Sequence, residues 1–207
     1  ANTTLTVQPG AVVLVAQGDD QSSGVNTSLA ELIVEGSLQI GGTEDEPVVF
    51  NSEKESPTPG SWYGIRVTPN GNVSIDHAHI KFAKMAVDNL NPVGSTHITN
   101  SDFEGTENHA FQGCPDTFDN NEVFGGVGNW AIRIMDCSTS KTYSSNHLHD
   151  NDGSADNHEP VRPGSWVFDF LVRDEFPSVP ITVEAKFAGV SELKEHVDWL
   201  TNALDVR

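Results

Sequence analysis

Basic side chains are scarce in this chain: 11 Lys and Arg stand against 30 Asp and Glu over 207 residues, a formal net charge of −19. That deficit argues against DNA and RNA as partners, because nucleic-acid affinity rests on neutralising phosphates. It also disfavours docking on anionic lipid. Long apolar runs are missing, and none approaches the roughly 18 residues that a membrane span needs. Cysteine is nearly absent: Cys114 and Cys137 allow one bridge or two buried thiols, and the sequence does not choose between them. No Gly-x-Ser-x-Gly elbow, phosphate loop, His-Glu-x-x-His or paired Cys-x-x-Cys occurs. Hydrolase-triad, nucleotide and zinc-finger readings therefore have nothing to stand on.

Turning to what is present, an apolar content of 36% with 18 Gly and 11 Pro is low for a helical bundle and ordinary for a loop-rich all-β protein. The length allows one domain with a real core. The chain opens Ala1-Asn2-Thr3-Thr4-Leu5 without an initiator Met or a leader-like stretch, which points to a removed leader or to a piece of something longer. Asn-x-Ser/Thr occurs at Asn2, Asn26 and Asn72, as chance allows in a chain so rich in Asn and Thr.

Self-similarity carries the fold. Ile75–Ile80, Ile98–Phe103, Phe118–Val123 and Tyr143–Leu148 superpose, each with a large apolar residue, a small or amide residue three later and an apolar residue five later. Their starts are offset by 23, 20 and 25 residues. A second column, Ile65, Val87, Phe111 and Ile132, recurs at 22, 24 and 21. Such a period is too short for paired helices, and the segments are β-branched or aromatic and bounded by turn residues. Stacked at a fixed repeat, they predict a parallel β-helix whose coils pair at about 4.8 Å. Ala78, Ser101, Asn121 and Asn146 fall at the turn between two strands. There Asn tolerates left-handed backbone and can hydrogen-bond the coils above and below, so Asn121 and Asn146 suit an internal ladder. The N-terminal third reads alike with longer excursions: one coil over Leu5–Val15 with a loop at Gly18–Asn26, and the next from Leu32 to Ile65.

The phrase order Val34-Glu-Gly-Ser-Leu38, Gly42-Thr-Glu-Asp-Glu-Pro-Val-Val-Phe50, Pro59-Gly-Ser-Trp-Tyr-Gly-Ile65 resembles secreted right-handed parallel β-helix proteins of the pectate-lyase-like superfamily. The likeness covers roughly residues 4 to 155. It implies the fold and not one activity, since that fold hosts lyases, hydrolases, epimerases, adhesins and inert modules. The family's catalytic patterns fail here. Ser74 replaces the Trp of a Trp-Ile-Asp-His stretch, Arg162-Pro163 lacks a second Arg, and Arg133-Ile134-Met135 lacks the Lys of Arg-Ile-Lys.

Pro163-Gly-Ser-Trp166 repeats Pro59-Gly-Ser-Trp62, so a further coil is expected there, with strands at Val167–Val172 and Ile181–Phe187. Ser191 can cap a helix whose Leu193, Val197, Leu200 and Leu204 form one apolar stripe, a natural lid for the open end of a solenoid. The expected architecture is one all-β domain, a right-handed parallel β-helix of about seven coils over residues 1–190, with a capping helix at 191–207.

In a stacked solenoid, residues at equal register become neighbours. One outward column reads His79, Asp102, Glu122 and His147; another reads Lys81, Glu104, Phe124 and His149. Imidazoles and carboxylates one strand spacing apart can ligate a divalent cation, or work as general acid and base with mutually shifted pKa values. The same positions alternate with the buried ones, so they are polar in any protein of this fold. Asp150, Asp152 and Asp156 form an oxygen-rich loop suited to Ca²⁺, although without the closing Glu of an EF-hand. Trp130 and Tyr63 offer platforms for sugar rings, whereas Trp62 and Trp166 look structural. Arg66 and Arg133 share a register three coils apart and read as lone surface charges.

Taken together, the residues favour a secreted or cell-surface module that binds polysaccharide or another surface without catalysis. The rivals are a divergent polysaccharide lyase or hydrolase using Asp102, Glu122 and His147 with Lys81 or His149 assisting, and a structural segment of a larger adhesin.

Overall fold

The computed structural model describes residues 3–90, 95–128, 131–134 and 143–151. Within them the chain makes one circuit after another, and each full circuit lays down three short strands. The first comprises β1 (Thr4–Val7), β2 (Val12–Val15) and β3 (Glu31–Val34). The second comprises β4 (Ser37–Gly41), β5 (Val48–Ser52) and β6 (Gly64–Val67); the third, β7 (Asn72–Asp76), β8 (Ala78–Lys81) and β9 (Met85–Asn89). The fourth has β10 (Thr96–Thr99), β11 (Asp102–Glu104) and β12 (His109–Gly113), and the fifth β13 (Thr117–Asp119), β14 (Glu122–Phe124) and β15 (Ile132–Ile134). A further strand, β16 (His147–His149), opens the next circuit.

Equivalent strands stack into three sheets, β1-β4-β7-β10-β13, β2-β5-β8-β11-β14-β16 and β3-β6-β9-β12-β15, and all their pairings are parallel. The described residues contain no helix. The capping helix expected at 191–207, the strands expected after Pro163 and the total of about seven coils lie outside them.

Alternation along each strand sends every second side chain inward, and pairing stacks those side chains into files. Val7, Ile40, Ile75, Ile98 and Phe118 form the file of the first sheet. Val13, Phe50, Ile80, Phe103, Val123 and Leu148 form that of the second. Leu32, Ile65, Val87, Phe111 and Ile132 form that of the third. The files meet in one core, closed in its later part by Phe118, whose ring centroid lies 6.0 Å from Phe103 and 5.7 Å from Phe111. Burying each of these large side chains contributes about 1.5–3 kcal/mol.

The predicted offsets therefore describe the stacking, with one adjustment early in the chain. Glu31–Val34 completes the first circuit, and Gly36 marks the turn into the second. A side chain there would run into the Thr3 carbonyl, which the Ser37 amide approaches to 2.9 Å.

The corner between the first and second sheets is built from hydrogen bonds. Ser101 Oγ accepts from the Ala78 amide at 3.1 Å, Asn121 Oδ1 from the Ser101 amide at 3.0 Å, and Asn146 Oδ1 from the Asn121 amide at 3.0 Å. Asn121 and Asn146 also donate through Nδ2 to the carbonyls of Ile98 and Phe118, at 3.2 and 2.7 Å. This is the internal ladder the repeat implies. The left-handed backbone, however, sits one residue earlier than expected, at His77, Asn100, Asn120 and Ser145, with φ between 49° and 57°. The reversal is made there, which frees the next residue to point inward and serve the ladder.

Candidate functional site

The outward side chains of β8, β11, β14 and β16 form the first candidate. Backbone pairing sets His79 beside Asp102, Asp102 beside Glu122, and Glu122 beside His147. The parallel column holds Lys81, Glu104, Phe124 and His149 in the same order. Pairing between circuits, not proximity in sequence, brings these groups together. His79 Nε2 lies 3.0 Å from Asp102 Oδ2, Lys81 Nζ 2.7 Å from Glu104 Oε2, and His147 Nδ1 3.4 Å from Glu122 Oε1.

Beside this face, the left-handed corner residues form the wall of a shallow groove of about 560 Å³. Its lining combines Asp102, Glu122 and His147 from the strands, His77, Asn100, Asn120 and Ser145 from the corners, and Glu44 from the 42–47 loop. A second ladder braces that wall. Asn120 Nδ2 donates to Asn100 Oδ1 at 2.6 Å, and Asn100 Nδ2 donates to Asp76 Oδ1 at 2.7 Å. Thr99 Oγ1 donates to the same oxygen at 2.8 Å, while His77 Nδ1 lies 3.2 Å from Asp76 Oδ2.

Two of the carboxyl groups here, Asp76 and Asp102, are shifted in opposite directions. Burial works to raise the Asp76 pKa, but the hydrogen bonds from Asn100 and Thr99, with His77 close by, outweigh it and hold the group below its ordinary value. Asp102 is raised: burial is the largest cause, Glu122 and Glu104 add to it, and His79 and Lys81 oppose it. Asp102 thus retains a proton more readily than a free aspartate, next to a second carboxylate.

A second cluster occupies the outer face of the third sheet. Arg66, Asp88, Gln112 and Arg133 fall in one register. Arg66 Nη2 lies 2.9 Å from Asp88 Oδ2, and the Tyr63 hydroxyl donates to the same oxygen at 3.0 Å. Gln112 Nε2 donates to Asp88 Oδ1 at 3.2 Å, and Arg133 Nη1 donates to Gln112 Oε1 at 3.2 Å. Arg66 also lies over the Tyr63 ring, 5.0 Å from its centroid.

Glu31 Oε2 faces Arg66 Nη1 at 4.0 Å, and its other oxygen accepts from the amides of Val25 and Asn26, tying the 16–30 excursion to this face. The side chains of Arg66, Glu31 and Asp88 are only 11%, 5% and 1% exposed. Burial, then Asp88, push the Tyr63 phenol up to about 12.

Arg66 is therefore not the lone surface charge that its place in the sequence suggests. The next circuit supplies Asp88 at the same register, a signal present in the column after Ile65 and Val87. Tyr63 is buried beneath Arg66, with little ring surface left for a sugar. Trp62 is fully buried, stacks on Phe50 and donates from Nε1 to the Lys81 carbonyl at 2.8 Å, a structural role.

Asp150 is an exposed left-handed corner residue after β16. Asp152, Asp156 and Trp130 lie outside the described residues, and so does the side chain of His149. Among the described residues, no group of three His, Cys, Asp or Glu side chains is gathered closely enough to hold a metal ion. Cys114 follows β12 and is not a free thiol, while Cys137 lies outside the described residues. No known protein family model matches this chain, and neither a curated protein nor a solved structure matches it.

Proposed function

We propose that this chain is a secreted or cell-surface module, a right-handed parallel β-helix of the pectate-lyase-like kind, that binds a hydroxyl-rich polysaccharide or another surface without transforming it. The observation that carries this reading is the column His79, Asp102, Glu122 and His147 beside the polar corner wall. It offers donors and acceptors at every strand spacing along an open groove, an arrangement suited to the repeated hydroxyls of a glycan. The four side chains are a third or more exposed, and each carboxylate has an imidazole beside it. Such a solvent-exposed surface supports binding better than it supports chemistry that depends on excluding water. The net charge of −19 directs the choice of ligand away from polyanions unless a divalent cation such as Ca²⁺ bridges them.

The test is calorimetry and product analysis against neutral and anionic glycans, with and without Ca²⁺. Binding of a neutral glycan without turnover is expected, weakened at least about tenfold by the double variant Asp102→Asn, Glu122→Gln, as loss of two polar contacts predicts. Absence of binding to every glycan overturns the proposal. One observation favours a second reading, a divergent lyase or hydrolase: the raised Asp102 carboxyl stands beside Glu122, as an acid beside a base, with Lys81 and His149 in the next column. Turnover abolished by Glu122→Gln alone would establish that reading and displace the first.

A further inference from the structure

The three Asn-x-Ser/Thr matches look alike in sequence, but the two that fall among the described residues are built differently. Asn72 stands in β7, an interior strand paired to β4 on one side and β10 on the other. Its backbone amide donates to the Gly36 carbonyl, its Oδ1 accepts from the Ser95 amide at 3.0 Å, and the following Val73 is 2% exposed in the core. A glycan on its Nδ2 would hang from a strand hydrogen-bonded on both sides, in a motif whose middle residue is locked into the core.

Asn26 instead lies in the 16–30 excursion, followed by exposed Thr27 and Ser28. Its Oδ1 accepts from the amides of Ser28 and Leu29, both at 3.0 Å, which is a local turn closed by the side-chain amide. The carbonyl end is thereby held against its own chain, and among the described residues no hydrogen bond occupies Nδ2. The backbone there is anchored from behind, where Glu31 Oε1 accepts from the Asn26 amide at 3.1 Å.

We propose that Asn26 is an N-glycosylation acceptor and that Asn72 is not one in the folded protein. In the transfer, Asn26 Nδ2 forms a bond to C1 of the sugar of a lipid-linked oligosaccharide as the C1–O bond to the lipid pyrophosphate breaks. Nδ2 loses one proton, and the lipid pyrophosphate departs with the bonding electrons. The attached glycan extends from an exposed loop into solvent, the setting this modification requires. The inference rests on the secreted or cell-surface location in the preceding section and not on glycan binding in the groove.

The test supplies the compartment itself. The full chain is sent through a yeast secretory pathway behind a heterologous leader, so natural export is not in question. The secreted product is cleaved into peptides that separate Asn2, Asn26 and Asn72 and is read by mass spectrometry with and without enzymatic deglycosylation. One glycan mass is expected on the Asn26 peptide and none on the Asn72 peptide. Ser28→Ala, which keeps the backbone amide that closes the turn, abolishes the Asn26 glycan with an unchanged far-UV spectrum. An unmodified Asn26 in the secreted product, equal occupancy of Asn72, or a glycan that survives Ser28→Ala overturns the inference. Glycan binding in the groove, measured on the same samples, succeeds or fails independently of these outcomes.

Discussion

The second and third sheets present outer faces built to the same rule, with charged side chains at alternate positions stacked in register from one circuit to the next. They differ in what lies over them. The face of the second sheet is open, and its ion pairs are a third or more exposed or close to it. The face of the third carries Arg66, Asp88, Tyr63 and Glu31 in nearly complete burial, with the 16–30 excursion tied down through Glu31. Exposed pairs contribute little to stability, whereas a buried pair is costly to break because the survivor is left as an uncompensated charge. One face is thus open to solvent, and the other holds a long excursion in place.

The largest way to break this contrast is Arg66→Met. It strands Asp88 and Glu31, and a loss of about 3–5 kcal/mol in urea unfolding is expected, with the 16–30 excursion becoming sensitive to protease. A loss below about 1 kcal/mol would mean that the two faces are energetically alike.

Tyr63→Phe comes next, removing one bond to a buried carboxylate at a cost of about 1–3 kcal/mol. It carries a pH signature. An unfolded tyrosine releases its proton near 10, while Tyr63 holds its own to about 12. The folded state therefore binds the proton more tightly. Its contribution is complete below pH 10 and falls as pH rises toward 12. Stability measured across that window flattens in Tyr63→Phe, and an unchanged slope would count against the buried phenol.

Smallest is Lys81→Met on the open face, with an expected loss of no more than about 1 kcal/mol. Because that pair is exposed, the effect fades as salt shortens the reach of surface charges to about 3 Å at 1 M. A loss that persists in high salt would show that this face, too, behaves as buried.

Much of the stacking is legible in the residues themselves. The columns 79, 102, 122, 147 and 65, 87, 111, 132 can be counted without coordinates. The side-chain period of a strand is two, and the corners between the first and second sheets are nearly constant in length from Asp76 onward. The amide ladder through Asn121 and Asn146 follows from the same count. The left-handed residue does not, because the pattern marks the buried side chain of each corner and not the outward residue before it that makes the reversal. Asp88 was within reach of the same counting, one circuit from Arg66 and opposite in sign. Glu31 was not: it lies across an excursion longer than any in the described later circuits, and nothing local says where that excursion lands.

Alternation and turn chemistry act between near neighbours, so the residues alone specify the strands of the described circuits, their repeat and which side chains share a column. Tertiary structure alone decided which charged column meets water. That choice depends on a long excursion folding back, and on a glutamate capturing its amides while its other oxygen faces an arginine 35 residues further along. Burial, and with it the strength of every charge on that face, arises only when those distant pieces meet.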